Sequence, residues 1–214
     1  MPQTRRPAAS RTTKDVPQSR QSRRTQLHEA KLKHAKVRRL RRWLAVVGAA
    51  IVVALIGYGL WSAAPTGGDT ATTAPDFTLS TTAGGTVTLS ALRGKPVILY
   101  FNEGAGCGSC TQQMAEIEKN PGFAEAGITV LPIVMNTAEQ ILPDMQVFGV
   151  TTPYLLDDGK VSAAYDVLGK GMHEGLPGHG FVLIDARGTQ RWYGNYPSMW
   201  LDPNDLLKEV TARL

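Results

Sequence analysis

The chain has 214 residues and a formal net charge of +5, but the charge is divided. Residues 1–42 hold fourteen Lys/Arg against only Asp15 and Glu29, while residues 62–214 sum to −7. The basic half has no aromatic interleaving and no recognisable binding fold, which argues against a nucleic-acid partner. The length allows one core of moderate size.

Residues 1–27 are rich in Arg, Gln, Ser, Thr and Pro and read as disordered. HEAKLKHAKVRRLRR, residues 28–42, reads as a basic helix that meets anionic lipid, worth about 1 kcal/mol per Lys/Arg near the surface. Together these segments form a basic cytoplasmic tail over 1–42, largely disordered. WLAVVGAAIVVALIGYGLW, residues 43–61, is uncharged and long enough to cross a bilayer, with Trp43 and Trp61 at the headgroup levels. The basic run before it places the N-terminus in the cytoplasm and the rest outside. The run is longer than a cleaved leader requires, so the segment reads as an uncleaved single-pass anchor in the cell membrane.

SAAPTGGDTATTAP, residues 62–75, reads as a linker. From Asp76 onward the pattern changes to that of a folded domain, 76–214. A short hairpin is expected, with strands near Phe77–Leu79 and Val87–Leu89 and its turn at Gly84-Gly85. PVILYFN, residues 96–102, reads as a central parallel strand, followed by a helix over 110–119. A strand over Ile128–Val134 precedes a helix over 137–148 that Pro143 should kink or divide. Residues 153–158 read as a shorter strand. SAAYDVLG reads as a short helix stopped by Gly169. Residues 181–194 form a hairpin turning at Arg187-Gly188, and DPNDLLKEVTARL closes the chain as a helix capped by Asp202 or Asn204. This order predicts an α/β domain with a mostly parallel central sheet and antiparallel edge strands.

The only two cysteines, Cys107 and Cys110, stand in CGSC between the central strand and its helix. That spacing suits a small-loop disulfide, a redox pair or half of a zinc site, which His173 and His179 could complete. A thiolate at a helix start is stabilised by unpaired N–H groups and the helix dipole, which favours redox work by Cys107. Cys110, one turn on, could then attack a mixed disulfide.

APDFTLSTTAGGTVTLSALRGKPVILYF, the CGSC motif, GFVLIDARGTQRWYG and VTTPYLLDDGKVSAAYDVLG resemble segments of the membrane-anchored thioredoxin-like proteins of the alkyl hydroperoxide reductase/thiol-specific antioxidant and TlpA/ResA superfamily. The resemblance covers roughly residues 75–214. It implies a thioredoxin-like fold and a thiol-disulfide oxidoreductase with possible antioxidant activity. Cys107 would be the attacking thiol and Cys110 the resolving one. It also implies protein thiol or disulfide substrates and a redox partner. The chain departs from peroxiredoxins in its NEGAGC loop, which lacks their Pro and Thr, and in having no Arg before Phe181. It departs from TlpA/ResA in having Gly106 before Cys107, and Gly178 where a cis-proline is usual, with Pro177 one place earlier.

His179 and Glu103 are further catalytic candidates. His179 could steady the Cys107 thiolate or shuttle its proton, and Glu103, following the central strand, could move a proton from Cys110. No cofactor and no bound metal is expected. Two alternatives to disulfide exchange remain: a thiol-dependent peroxidase, and a copper-binding or metallochaperone module using Cys107, Cys110 and His179, which resembles the Sco-type proteins. In the copper reading Met114, Met135 and Met172 are further possible ligands, though Met114 and Met135 read better as core.

Overall fold

The computed structural model describes residues 20–169 and 174–214. The disorder expected for residues 1–19, and the positions Met172 and His173, lie outside the described residues. The chain divides into two compact units, Met1–Tyr58 and Gly59–Leu214.

The described residues of the first unit are helical. Helix α1 runs Arg20–Ser62, with no break between its basic and apolar parts. The expected disorder is therefore corrected for residues 20–27, which belong to this helix. Leu, Ala, Lys, Arg and Gln, all good helix formers, dominate its first half. Within Lys36–Ser62 an 18-residue window has a mean hydropathy of 2.3, and the helix is long and apolar enough, by length and composition, to cross a membrane. Trp43 and Trp61 are both exposed.

The second unit is an eight-stranded mixed sheet with helices on its faces. Its strands are β1 (Thr66–Thr73), β2 (Thr78–Thr81), β3 (Thr86–Thr88), β4 (Val97–Phe101), β5 (Thr129–Val134), β6 (Leu155–Leu156), β7 (Gly180–Ile184) and β8 (Thr189–Asn195). They lie in the order β1-β8-β7-β4-β5-β6-β2-β3. Parallel pairing is confined to β4, β5 and β6; all other pairs are antiparallel. The helices are α2 (Gly108–Lys119), α3 (Gly122–Glu125), α4 (Ala138–Phe148), α5 (Lys160–Ala164) and α6 (Pro203–Thr211), with a 3-10 turn at Leu89–Leu92.

β4 sits at the centre because every one of its residues is buried. Ile98 and Tyr100 face one core with Met114, Ile117, Phe181 and Leu206. Val97, Leu99 and Phe101 face a second core with Phe77, Val182 and Tyr165. The strand period of two thus feeds both layers.

Several local expectations are corrected. Residues 66–73, read as linker, form β1, whose register on β8 runs from Thr66 opposite Asn195 to Thr73 opposite Thr189. Its side chains are almost all exposed, so no apolar period marks it; backbone pairing makes the strand. Pro143 lies inside an undivided α4. The bond it removes is the one to the carbonyl of Glu139, in the first turn. The helix expected over 162–169 instead begins at Lys160 and stops at Ala164. Asp157 anchors its start, accepting from the N–H groups of Val161 (3.0 Å) and Ser162 (2.8 Å). Asp166, at φ 53°, turns the chain out of the helix before Gly169. Asp202, not Asn204, caps α6, accepting from the Asn204 N–H at 2.8 Å.

Candidate active site

The loop from β4 to α2 is held by side chains from three places. Asn102, fully buried, donates to the Tyr100 carbonyl (3.2 Å) and accepts from the Gly104 N–H (3.1 Å). Asn136, after β5, accepts from the Ala105 N–H at 2.9 Å. Asp144, on α4, accepts from the Gly106 N–H at 2.8 Å. Gly104 adopts φ 75°, and a Cβ there would lie 1.9 Å from Asn136 Oδ1, so glycine is required.

Cys107 is the residue that opens α2. Its N–H donates to the Gly104 carbonyl (3.0 Å), and its own carbonyl accepts from Cys110 (3.0 Å) and Thr111 (3.2 Å). Cys107 is half-buried, whereas Cys110 is fully buried. The two form a disulfide with Cα atoms 5.3 Å apart. Cys107 is thus partly exposed beside the first N–H groups of a helix, and Cys110 is sealed from solvent. In the reduced state the helix start favours a thiolate on Cys107.

His179 stands one residue before β7 and is 1% exposed. Its Nδ1 lies 3.1 Å from the Tyr100 hydroxyl, and its Nε2 lies 3.4 Å from Gln113 Oε1. The Tyr100 hydroxyl also donates to the Cys110 carbonyl at 3.1 Å. His179 is therefore linked to the buried cysteine through Tyr100. Burial lowers its pKa to about 4. At neutral pH the ring is uncharged, so it brings no imidazolium to steady the Cys107 thiolate. Burial, followed by the nearby Tyr154 and Glu103, raises the Tyr100 pKa well above the ordinary phenol value. Glu103 lies half-buried in the loop. The peptide bond at Pro177 is trans, as are all those described.

Among the described residues no three His, Cys, Asp or Glu side chains converge so as to hold a metal ion. Cys107 and Cys110 are joined in the disulfide, and the His179 ring nitrogens face Tyr100 and Gln113. Met114 is in the core. The structure adds Tyr100, Asn102, Gln113, Asn136 and Asp144 to the site. Asn102 ends the PVILYFN run, directly before the dithiol loop, and could have been found there; Asn136 and Asp144 enter from distant parts of the chain.

A mixed sheet flanked by helices, with a dithiol where a helix leaves the central strand, defines a thioredoxin-fold redox domain. Residues 70–193 match the AhpC/TSA family, and the chain belongs to it. It is 35% identical over 99 residues to a Mycobacterium tuberculosis protein named as a candidate peroxiredoxin, covering 45% of this chain and 63% of that protein. It is 30% identical over 125 residues to the thiol-disulfide oxidoreductase ResA of Bacillus subtilis, covering 55% of this chain and 68% of ResA. The solved peroxidoxin BcpB of Mycobacterium tuberculosis shares the fold, with a TM-score of 0.57 at 23% identity over 67% of this chain and 97% of that one.

Proposed function

We propose that the chain is a membrane-anchored thiol-disulfide oxidoreductase that acts on protein substrates outside the cytoplasm. The observation that carries this reading is the unequal exposure of the pair: Cys107 reaches solvent at a helix start and Cys110 is sealed behind it. In the reducing direction the Cys107 thiolate attacks one sulfur of a partner disulfide and expels the other as a thiolate. Cys110 gives up its proton and attacks Cys107 Sγ. The second partner sulfur then leaves, two electrons have passed to the partner, and the two partner thiolates take up protons. Oxidation of a partner runs the same steps backward.

In this reading Glu103 would receive the Cys110 proton, and His179 would act on the Cys110 backbone through Tyr100. Residues 43–61, within the candidate span Lys36–Ser62, would be the anchor, with the Arg- and Lys-rich residues before them in the cytoplasm. Anionic lipid would face that basic segment. The folded domain, beginning at β1, would then lie outside; protease added to intact cells should remove it.

Trapping tests the exchange reading. A Cys110→Ser chain should accumulate mixed disulfides with other proteins through Cys107, and a Cys107→Ser chain should not. Equal trapping by both variants, or none by either, would overturn it.

The names of the relatives favour a second reading, reduction of peroxides. The domain's described arginines do not serve it. Arg93 bonds the Arg187 carbonyl, and Arg187 and Arg191 lie by Pro96 and Asp185, at the end of the sheet opposite the dithiol; Arg213 pairs with Asp69 and Glu209. A peroxide at Cys107 would lack their cationic help. Peroxide-dependent consumption of a dithiol donor decides between the two.

A further inference from the structure

We propose that Asp144 tunes the attacking sulfur: it fixes the backbone before Cys107 through one hydrogen bond, while its carboxylate charge opposes the pull of the α2 start on the Cys107 thiolate. This deepens the exchange reading and rests on it for its functional consequence.

Asp144 comes from α4 and accepts from the Gly106 N–H at 2.8 Å. Gly106 adopts φ 90°, so the loop approaches Asp144 in a conformation that glycine adopts without strain. The next residue is Cys107. Covalent geometry therefore keeps the carboxylate within roughly 10 Å of the sulfur. Among the described residues no Lys or Arg pairs with Asp144, so its charge is not cancelled locally. Its field reaches the buried hydroxyl of Tyr154, where it opposes ionisation.

The other titratable groups of the packed elements are few. Tyr100 on β4 and Tyr154 before β6 are both held protonated by burial. His179 before β7 is neutral. Glu118 on α2 is engaged by the Thr151 N–H at 3.0 Å, and Glu103 lies in the loop itself. Two opposing influences thus act on one sulfur. The helix start stabilises its thiolate, and the nearby carboxylate destabilises it. A less stabilised thiolate makes the dithiol form less favourable relative to the disulfide. Asp144 thereby biases the pair toward donating electrons.

The test uses the full chain in detergent micelles. Cys107 is titrated by thiolate absorbance in a Cys110→Ser background, with Asp144 unchanged, Asp144→Asn or Asp144→Ala. The Asn variant keeps an oxygen to accept from Gly106 and removes the charge. It should raise the acidity constant of Cys107 about three- to tenfold, the scale of one partly screened charge at this separation. With both cysteines present, the same substitution should shift the equilibrium with glutathione toward the dithiol by a similar factor. The Ala variant should show the same rise in acidity together with faster amide exchange at Gly106. Titrations unchanged within twofold in the folded variants would overturn the proposal. The titration needs no protein partner, so failure to trap a substrate would sink the exchange reading without deciding this one.

Discussion

The hydroxyl of Tyr100 donates to the carbonyl oxygen of Cys110 at 3.1 Å, inside the core and away from any solvent. Tyr100 belongs to the central strand and Cys110 to the first turn of α2, so this bond ties the helix that carries the dithiol to the middle of the sheet. The same hydroxyl oxygen lies 3.1 Å from His179 Nδ1, which places three elements around one phenol. Its ring also stacks on Phe181, with centroids 4.6 Å apart.

Tyr100→Phe keeps the stacked ring and removes the hydroxyl. It leaves the buried His179 Nδ1 without its partner and should cost about 1–3 kcal/mol of domain stability. The checks are the midpoint of urea unfolding and the rate at which Cys110 resolves a mixed disulfide. A midpoint within error of wild type would show that the bond does not anchor the helix.

His179 makes stability depend on pH in a definite direction. Its pKa is about 4 in the folded chain against an ordinary 6.5, so the unfolded chain binds a proton that the folded chain refuses. Stability from this group is complete above the ordinary value and declines as pH falls through the window, levelling below the folded value. The total is roughly 3 kcal/mol. A His179→Gln variant should lack this component. Its unfolding free energy should fall less steeply than wild type on acidification across that window, and parallel curves would contradict the burial argument.

Where the two cysteines stand could be read from the chain, because an apolar run followed at once by a Gly-rich loop and CGSC leaves few structures open. The central strand β4, from its continuous apolar run, and the turn at Arg187-Gly188 were similarly legible. β1 was not, since TGGDTATT has nothing to bury and becomes a strand through its pairing with β8. The short α5 was misplaced because Asp157, four residues before Val161, fixes its start through bonds that no periodicity reveals. In the site, His179 was visible as a residue, but its burial depends on Tyr100 and Gln113 closing around it. Asn136 and Asp144 are ordinary polar residues until the fold brings them to the backbone of residues 105 and 106.

Gly104 and Asn136 should behave as a coupled pair. Gly104→Ala would set a Cβ 1.9 Å from Asn136 Oδ1 and 2.9 Å from Val134 Cγ1, at a φ of 75°. A loss of about 2 kcal/mol or more is expected, with slower re-formation of the disulfide. Asn136→Ala alone gives up the bond to Ala105. The double variant should cost less than the two losses added, because the smaller side chain leaves room for the new methyl group. Strict additivity in denaturant titrations would count against the steric account.

The unequal burial of the two sulfurs predicts an unequal chemistry. In the disulfide form Cys107 is half-buried beside the opening N–H groups of α2 and Cys110 has no exposed surface, an arrangement expected to persist on reduction. Alkylation near neutral pH should therefore modify Cys107 at least about tenfold faster than Cys110, because both thiolate fraction and access favour it. Mass spectrometry of briefly treated protein reads the ratio directly. Raising urea toward the unfolding midpoint should bring the two rates together, since it exposes the inner sulfur and dissolves the helix that activates the outer one. If Cys110 instead reacted first in the folded chain, the assignment of Cys107 as the attacking sulfur would be reversed.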